Sequence, residues 1–167
     1  MSGTSAVAGV LPAPAPSVRA ARQEDAAELA ALSRPFVRSG ALRERPASLY
    51  ASHAADFLVT EAPDGAVDGC VGLRVHSADP GRGRGSVGVV YNFCVAGRRQ
   101  GSGVGAGLLR AVLARARAQS LDAAATTGGG GLLLRYGFAP TAVRLAPASW
   151  AESLDPRRDA RILARVL

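Results

Sequence analysis

The run Gln100-Gly101-Ser102-Gly103-Val104-Gly105-Ala106 holds the residue types and spacing most able to do chemistry in this chain. It follows an apolar run, Val87 to Val95, that reads as a strand. It opens a helix signalled by Val104, Leu108, Val112 and Ala116 at fourfold spacing, with Leu109 and Leu113 beside them. A Gly-rich turn at a helix start presents several unpaired backbone N–H groups. With the positive end of the helix dipole, these form an anion site suited to phosphate. Two common phosphate loops do not match. The nucleoside-triphosphate loop requires a Lys, and the chain contains none. The dinucleotide fingerprint needs Gly-x-Gly-x-x-Gly early in a strand–helix–strand unit. Gly101-Ser102-Gly103-Val104-Gly105 has another spacing, and its strand lies late in the chain.

The elements that must position this loop follow from periodicity and breakers. Val18 to Ala21 reads as a first strand. Asp25 to Val37 reads as a helix with Leu29, Leu32 and Phe36 along one face. After a break at Ser39-Gly40, Pro46 starts a second helix carrying Leu49, Tyr50, His53 and Phe57. Phe57 to Thr60 and Val67 to Val75 read as strands joined by a turn at Pro63-Asp64-Gly65. A Gly/Arg hairpin, Asp79 to Gly85, leads into the strand before the loop. The loop helix runs to Ser120, and Ala123 to Thr127 reads as a weak strand. Gly128 to Gly131 follows, then a short helix, Leu132 to Tyr136, ended by Gly137. Trp150 lies in the last stretch, which finishes with a strand, Arg161 to Val166. Residues 18–167 form one domain. Residues 1–17, uncharged and Ala/Pro-rich, read as a disordered tail rather than a signal peptide.

Composition narrows the partners. The net charge is +7 and every cationic side chain is Arg, which suits an anionic partner. Arg82 and Arg84 in the hairpin and Arg98-Arg99 before the loop are the clusters. Aromatic residues make up only 5% of the chain and do not interleave with the basic ones, so nucleic acid is not expected. No apolar run is long enough to cross a membrane. Cys70 and Cys94 lie in strand-like contexts without metal-ligand spacing, and there are only two His residues, so no metal site is expected. Free buried thiols point to a reducing, cytoplasmic setting.

Gln100-x-x-Gly103-x-Gly105 matches the Gln/Arg-x-x-Gly-x-Gly/Ala signature of the GNAT acetyltransferases, and the element order βααβββαβαβ resembles theirs. The resemblance implies an α/β (α+β) fold, a mixed, mostly antiparallel sheet flanked by helices. In that family the loop, here Gln100 to Ala106, holds the pyrophosphate of acetyl-CoA. The strand before the loop splays from the strand after its helix. Pantetheine then pairs with exposed backbone, here Phe93, Cys94 and Val95, and an N–H near Val95 polarises the acetyl carbonyl.

Further stretches resemble one branch, the N-acetylglutamate synthases. They are Pro35-Phe36-Val37-x-x-Gly40-x-Leu42-x-x-Arg45, Leu49-Tyr50, Asp56-Phe57-x-Val59-x-Glu61, Gly69-Cys70-x-Gly72-Leu73, Thr126-Thr127 and Tyr136-Gly137-Phe138. The tail, Leu145-x-Pro147-x-Ser149 with Arg158-x-x-Arg161-Ile162-Leu163, completes the match. The resemblance is to short stand-alone forms, without the kinase-like domain used for arginine feedback. It implies acetyl transfer to the α-amino group of glutamate, the first step of arginine biosynthesis. It gives Arg158 as the partner of a substrate carboxylate and Arg45 as a basic substrate-binding position near the acceptor site, and family habit makes a homodimer plausible.

Several positions depart from the pattern. A Glu that often follows Gly on the strand before the loop is the usual general base, and here the pair is Gly88-Val89. Acetyl transfer still needs a neutral amine. Tyr91 lies on the same strand face as Val89 and is the candidate catalytic residue in its place; His53 and His76 are the other titratable choices. The acid Tyr that many members carry is Leu133, as it often is Phe in the glutamate branch, and a Ser near the tail Arg is Ala160. Cys94 has no His or cationic neighbour in sequence, so direct attack on the thioester is expected. Three readings stand: glutamate acetylation, acetylation of another small amine, and a silent CoA-binding module.

Overall fold

The computed structural model describes residues 17–78, 85–128, 130–158 and 161–167. The expected tail (apart from Ser17), Arg82 and Arg84 of the hairpin, Gly129 and Ala160 lie outside the described residues. The elements in chain order are β1 (Ser17–Ala20), α1 (Ala26–Arg38), α2 (Ala47–Ser52), β2 (Phe57–Glu61), β3 (Val67–His76) and β4 (Val87–Val95). Then come α3 (Val104–Ala118), β5 (Ala123–Thr127), α4 (Gly131–Arg135), α5 (Ala148–Ser153) and β6 (Ile162–Val166).

The six strands form one sheet in the order β1-β2-β3-β4-β5-β6. All neighbours are antiparallel except β4 and β5, which α3 connects as a parallel pair. The expected mixed sheet is therefore present. Its faces are covered separately, as amphipathic helices demand. On one face α3 buries Val104, Leu108, Leu109, Val112, Leu113 and Ala116 against Val71, Leu73 and Val90. On the other, α1 and α2 bury Leu29 and Tyr50 against Phe57, Val59, Cys70 and Cys94. The segment 140–150 packs Leu145, Ala146 and Trp150 on Ala125 and Ala164 at the β5–β6 edge.

Two readings of local structure are corrected. The second helix stops at Ser52 instead of running to Phe57, because His53 leaves helical geometry and a 3-10 turn, Ala54–Asp56, delivers Phe57 into β2. The stretch around Trp150 contains a further short helix, α5, behind Pro147.

Strand β4 is not a regular strand. Its register against β3 slips between the pairs Cys70↔Cys94 and Gly72↔Tyr91, and Asn92 inside the slip has φ +49°. This is a β-bulge, and Asn is a residue type that tolerates the left-handed region. The consequence is that Tyr91 and Asn92, though consecutive, both reach the face covered by α1 and α2.

Candidate active site

The loop after β4 is anchored from below. A 3-10 turn, Gly97–Arg99, carries two guanidiniums to one carboxylate: Arg98 Nη2 donates to Asp68 Oδ1 at 2.6 Å, and Arg99 Nε to Oδ2 at 2.8 Å. Asp68 is fully buried. Burial pushes its carboxyl up, but the bonds and charges of Arg99 and Arg98 more than offset this and hold it below the ordinary carboxylate range. Arg98 and Arg99, read as an anion-facing cluster, thus fix the loop to β3. Sequence reasoning missed Asp68, since its partners lie 30 and 31 residues away.

From that anchor the chain turns through Gly101 (φ +81°) and Gly103 (φ +88°), a left-handed cap that Gly adopts without strain. Ser102 Oγ donates to the Arg99 carbonyl, and Gln100 Nε2 to the Val95 carbonyl at 3.5 Å. The helix begins at once, with Gly107 N–H donating to Gly103 O at 3.0 Å. The first-turn N–H groups of Val104, Gly105 and Ala106 have no acceptor within the helix. The loop stands exposed, and a Cβ placed on Gly101 or Gly103 would meet nothing within 4 Å.

A fork opens beside it. β4 and β5 pair only at Val87↔Ala123, Gly88↔Ala124 and Val89↔Ala125, while β4 runs on to Val95. Thr126 Oγ1 donates to the Val90 carbonyl at 2.9 Å, at the crotch of the fork. Beyond it, Gly105 faces the gap. A Cβ there would lie 3.4 Å from Leu132 on α4, 3.6 Å from Val95 and 3.7 Å from Phe93. The bare first turn of α3 thus lies against the end of β4 and α4. Phe93, Cys94 and Val95 divide by side chain: Phe93 and Val95 pack toward α3, and Cys94 packs toward α1.

Tyr91 sits two residues past the last position paired with β5, and its ring lies over β3, on the side of β4 away from β5. Its partner across β3 is Gly72, where a Cβ would come within 2.7 Å of the ring. Phe57 meets it edge-on at 5.2 Å between centroids. The Tyr91 hydroxyl donates to Asp56 Oδ2 at 2.6 Å. Burial, then the Asp56 contact, raises its pKa well above that of an ordinary phenol. An ionised Tyr91 acting alone as base is therefore not what this geometry supports. The hydroxyl stays protonated and points that proton at a carboxylate. Asp56 also lies 3.8 Å from Arg74 Nε and 3.9 Å from His53 Nδ1. Arg74 stacks on Tyr91 at 4.9 Å from the ring centre. His76, the other histidine, ends β3 opposite Val87; burial, then the Arg74 charge, lowers its pKa.

Asn92 centres a buried polar network that the sequence did not disclose. Its Oδ1 accepts from Tyr50 Oη and from Arg45 Nη1, both at 3.1 Å, and its Nδ2 donates to Ser33 Oγ at 3.1 Å. Arg45 is thus drawn against β4, with its guanidinium 5.5 Å from the Tyr91 ring centre. Cys70 and Cys94 lie beside the network with sulfurs 3.5 Å apart, both free thiols. The Cys94 contact and burial raise the Cys70 pKa. The Cys70 contact, opposed by burial and aided by Ser33, lowers the Cys94 pKa, but no cation hydrogen-bonds Cys94 among the described residues.

Arg158 goes elsewhere. Its Nη2 donates to the Gly40 carbonyl at 2.7 Å, which ties the 3-10 turn Pro156–Arg158 to the α1–α2 loop. A cavity of about 580 Å³ opens there, lined by Val37, Gly40, Leu42, Glu44, Arg157 and Arg158 among others. Arg45 does not line it. Of the two arginines read as substrate-binding, Arg158 meets the start of the α1–α2 loop at Gly40 and lines the cavity, while Arg45 ends that loop and lies against β4.

Residues 24–129 match the model of the acetyltransferase (GNAT) family. The chain belongs to the GNAT family of acetyltransferases. Solved structures agree. N-acetylglutamate synthase from Neisseria gonorrhoeae, complexed with coenzyme A and N-acetyl-glutamate, superposes with a TM-score of 0.79 at 26% identity, over 90% of this chain and 35% of that one. This GNAT chain thus spans about a third of that enzyme's length. Rv2747 from Mycobacterium tuberculosis, in complex with CoA, gives 0.75 at 23% identity over 91% and 99% of the two chains. A GNAT acetyltransferase from Brucella melitensis, in complex with acetyl-CoA, gives 0.61 at 25% identity over 74% and 82%. No curated protein matches the sequence. Among the described residues of this GNAT domain, no group of three metal-binding side chains exists, and no helix is long and apolar enough to cross a membrane.

Proposed function

We propose that this GNAT domain transfers the acetyl group of acetyl-CoA to the α-amino group of an amino acid, with L-glutamate as the first acceptor. The observation that carries the reading is the fork after Val89, with the Gly101–Gly105 helix start at its open end. The helix N-terminus receives the pyrophosphate. The gap between β4 and β5 beyond Val89 takes the narrow pantetheine arm. The unpaired edge of β4 at Phe93 to Val95 supplies the backbone groups that pair with its amides and polarise the acetyl carbonyl. The amine then attacks the carbonyl carbon, a C–N bond forms, the C–S bond breaks, and CoA leaves as the thiol.

Arg158 supports an acidic acceptor, since it lines a cavity large enough for an amino acid. A second reading, acetylation of another small amine, is favoured by Arg45, whose guanidinium is already held by Asn92 and Tyr91. A place in arginine biosynthesis and in the cytoplasm goes with the first reading.

The test is release of the CoA thiol from acetyl-CoA, followed with a thiol reagent across a panel of amino acids and amines. Turnover with L-glutamate supports the first reading. Turnover only with other amines moves the assignment to the second. CoA binding without turnover on any amine makes the domain a silent CoA-binding module.

A further inference from the structure

We propose that Arg110 and Tyr136, at the seam of α3 and α4, form the subsite for the 3′-phosphate of coenzyme A and so select the intact cofactor over its 3′-dephospho form. The inference rests on the CoA-binding reading above and deepens it, since a pyrophosphate on the helix start leaves the third phosphate of CoA still to be placed.

Arg110 stands exposed on α3, and Tyr136 is the residue that closes α4. Arg110 Nη1 donates to Tyr136 Oη at 2.9 Å, and this is the only hydrogen bond of that guanidinium among the described residues. A guanidinium carries five donors, so one neutral phenol oxygen leaves its charge and most of its donors unanswered. The phenol oxygen accepts from Arg110 and keeps its own proton to donate. Two donors from different elements are thus held side by side and want an anion.

The surroundings add positive charge and almost no acid. Between Gln100 and Ala151 the chain has a single acid, Asp122, and its carboxylate lies at the far end of α3 beside Gly85. Arg165 reaches over from β6 and donates Nη1 to the Tyr136 carbonyl. Arg117 follows Arg110 by two turns of α3; burial, then the Arg117 charge, lowers the Arg165 pKa. No carboxylate pairs with Arg110, Arg117 or Arg165 among the described residues. Arg98 and Arg99, nearer the loop in sequence, are neutralised by Asp68. The unbalanced charge beside the loop helix therefore lies on its α4 flank.

The reach is right. Long side chains on a helix lean toward its N-terminus. Arg110 does so: its Nη2 lies 3.9 Å from where a Cβ on Gly107 would be, and nothing else comes within 4 Å of that point. Gly107 closes the first helical bond, on Gly103 O. The guanidinium thus stands roughly one turn, about 5 Å, from the bare N–H groups. In CoA a single ribose joins the 5′-diphosphate to the 3′-phosphate. With the diphosphate on the bare first turn, the 3′-phosphate comes level with Arg110, over the open surface that Gly107 leaves. A phosphate dianion there takes paired N–H bonds from Arg110 and one O–H bond from Tyr136.

The test titrates CoA and 3′-dephospho-CoA by calorimetry into the parent, Arg110→Gln, Tyr136→Phe and Arg34→Gln. Arg34 is exposed on α1, across the sheet, and its variant reports the loss of one positive charge alone. The parent is expected to bind CoA at least about tenfold more tightly than dephospho-CoA. Arg110→Gln loses that preference: CoA binding falls about tenfold, while dephospho-CoA binding stays within about twofold. Tyr136→Phe keeps both the ring and the guanidinium but unties them, and loses part of the preference. Arg34→Gln keeps all of it. Equal affinity of the parent for the two ligands overturns the subsite and leaves the CoA-binding reading intact. So does an Arg110→Gln variant that keeps the parent's preference, or one that weakens both ligands alike. Failure of the parent to bind either ligand overturns the CoA-binding reading, and the subsite with it.

Discussion

The buried Asp68 carboxylate accepts Arg99 Nε at 2.8 Å, and through this bond a strand that never touches the loop's glycines sets where the loop begins. Arg98 completes the clamp at 2.6 Å. Two arginines that look made for an anionic ligand instead neutralise an internal acid, and the ligand is left to the backbone N–H groups of the turn.

Asp68→Asn is expected to lower stability by about 1–3 kcal/mol, because both guanidiniums lose a charge-assisted acceptor while staying partly solvated. Affinity for acetyl-CoA falls with it as the loop loosens. The pH dependence has a definite sign. The folded carboxyl lies below the usual range, so its contribution is complete above the unfolded pKa of about 3.9 and is lost as pH falls through the lower folded value. Denaturant unfolding from pH 7 down to pH 2 should show a steeper acid loss in the parent than in Asp68→Asn. Parallel curves would contradict this.

The network at the bulge predicts a different pattern. Asn92→Ala leaves Tyr50, Ser33 and Arg45 without their shared partner and keeps an L-residue at φ +49°, so a loss of about 2–4 kcal/mol is expected. Asn92→Gly removes the same bonds but relieves the backbone, and should be about 1 kcal/mol less damaging. Equal losses in the two variants would mean that backbone strain is small.

Much of this was legible from the chain alone, and the failures have common causes. The loop and α3 could be read because Gly at 101, 103 and 105 and the fourfold apolar spacing are local signals. The β5 strand was weak by propensity but is secured by β6 along its full length. The bulge could not be read. Strict alternation along Val87 to Val95 places Asn92 on the α3 face, and the inserted residue reverses that. The Tyr91–Asp56 and Asp68–Arg99 contacts were hidden because each joins residues more than 30 positions apart. Gly72 was the one available hint, an interior strand glycine marking close approach by another group.

Arg158 can be separated from the CoA half of the site. Its bond to Gly40 O is exposed, so Arg158→Ala should leave stability within about 0.5 kcal/mol of the parent. If it holds an acceptor carboxylate, KM for L-glutamate rises about tenfold or more while KM for acetyl-CoA holds. An unchanged KM for glutamate would place the carboxylate elsewhere.

The two cysteines provide a control on the assay chemistry. Both are buried, so a thiol reagent should find none in the native protein and two after denaturation. Rapid native labelling would show that the β3–β4 seam opens.

Titration of acetyl-CoA into the parent and into Gly105→Val bears most directly on the central claim, that the gap between β4 and β5 is the acetyl-CoA channel. A Cβ at Gly105 already sits at contact distance from Leu132, Val95 and Phe93, so a branched side chain must push these walls into the gap beside it. The account predicts saturable binding by the parent and at least a tenfold weaker association for Gly105→Val. The unfolding midpoint of the variant is measured alongside, since the Val γ carbons must displace Leu132, Val95 or Phe93, and Gly105→Ala, which only reaches contact distance, serves as the control. Equal affinity in the two proteins would contradict the assignment of this channel.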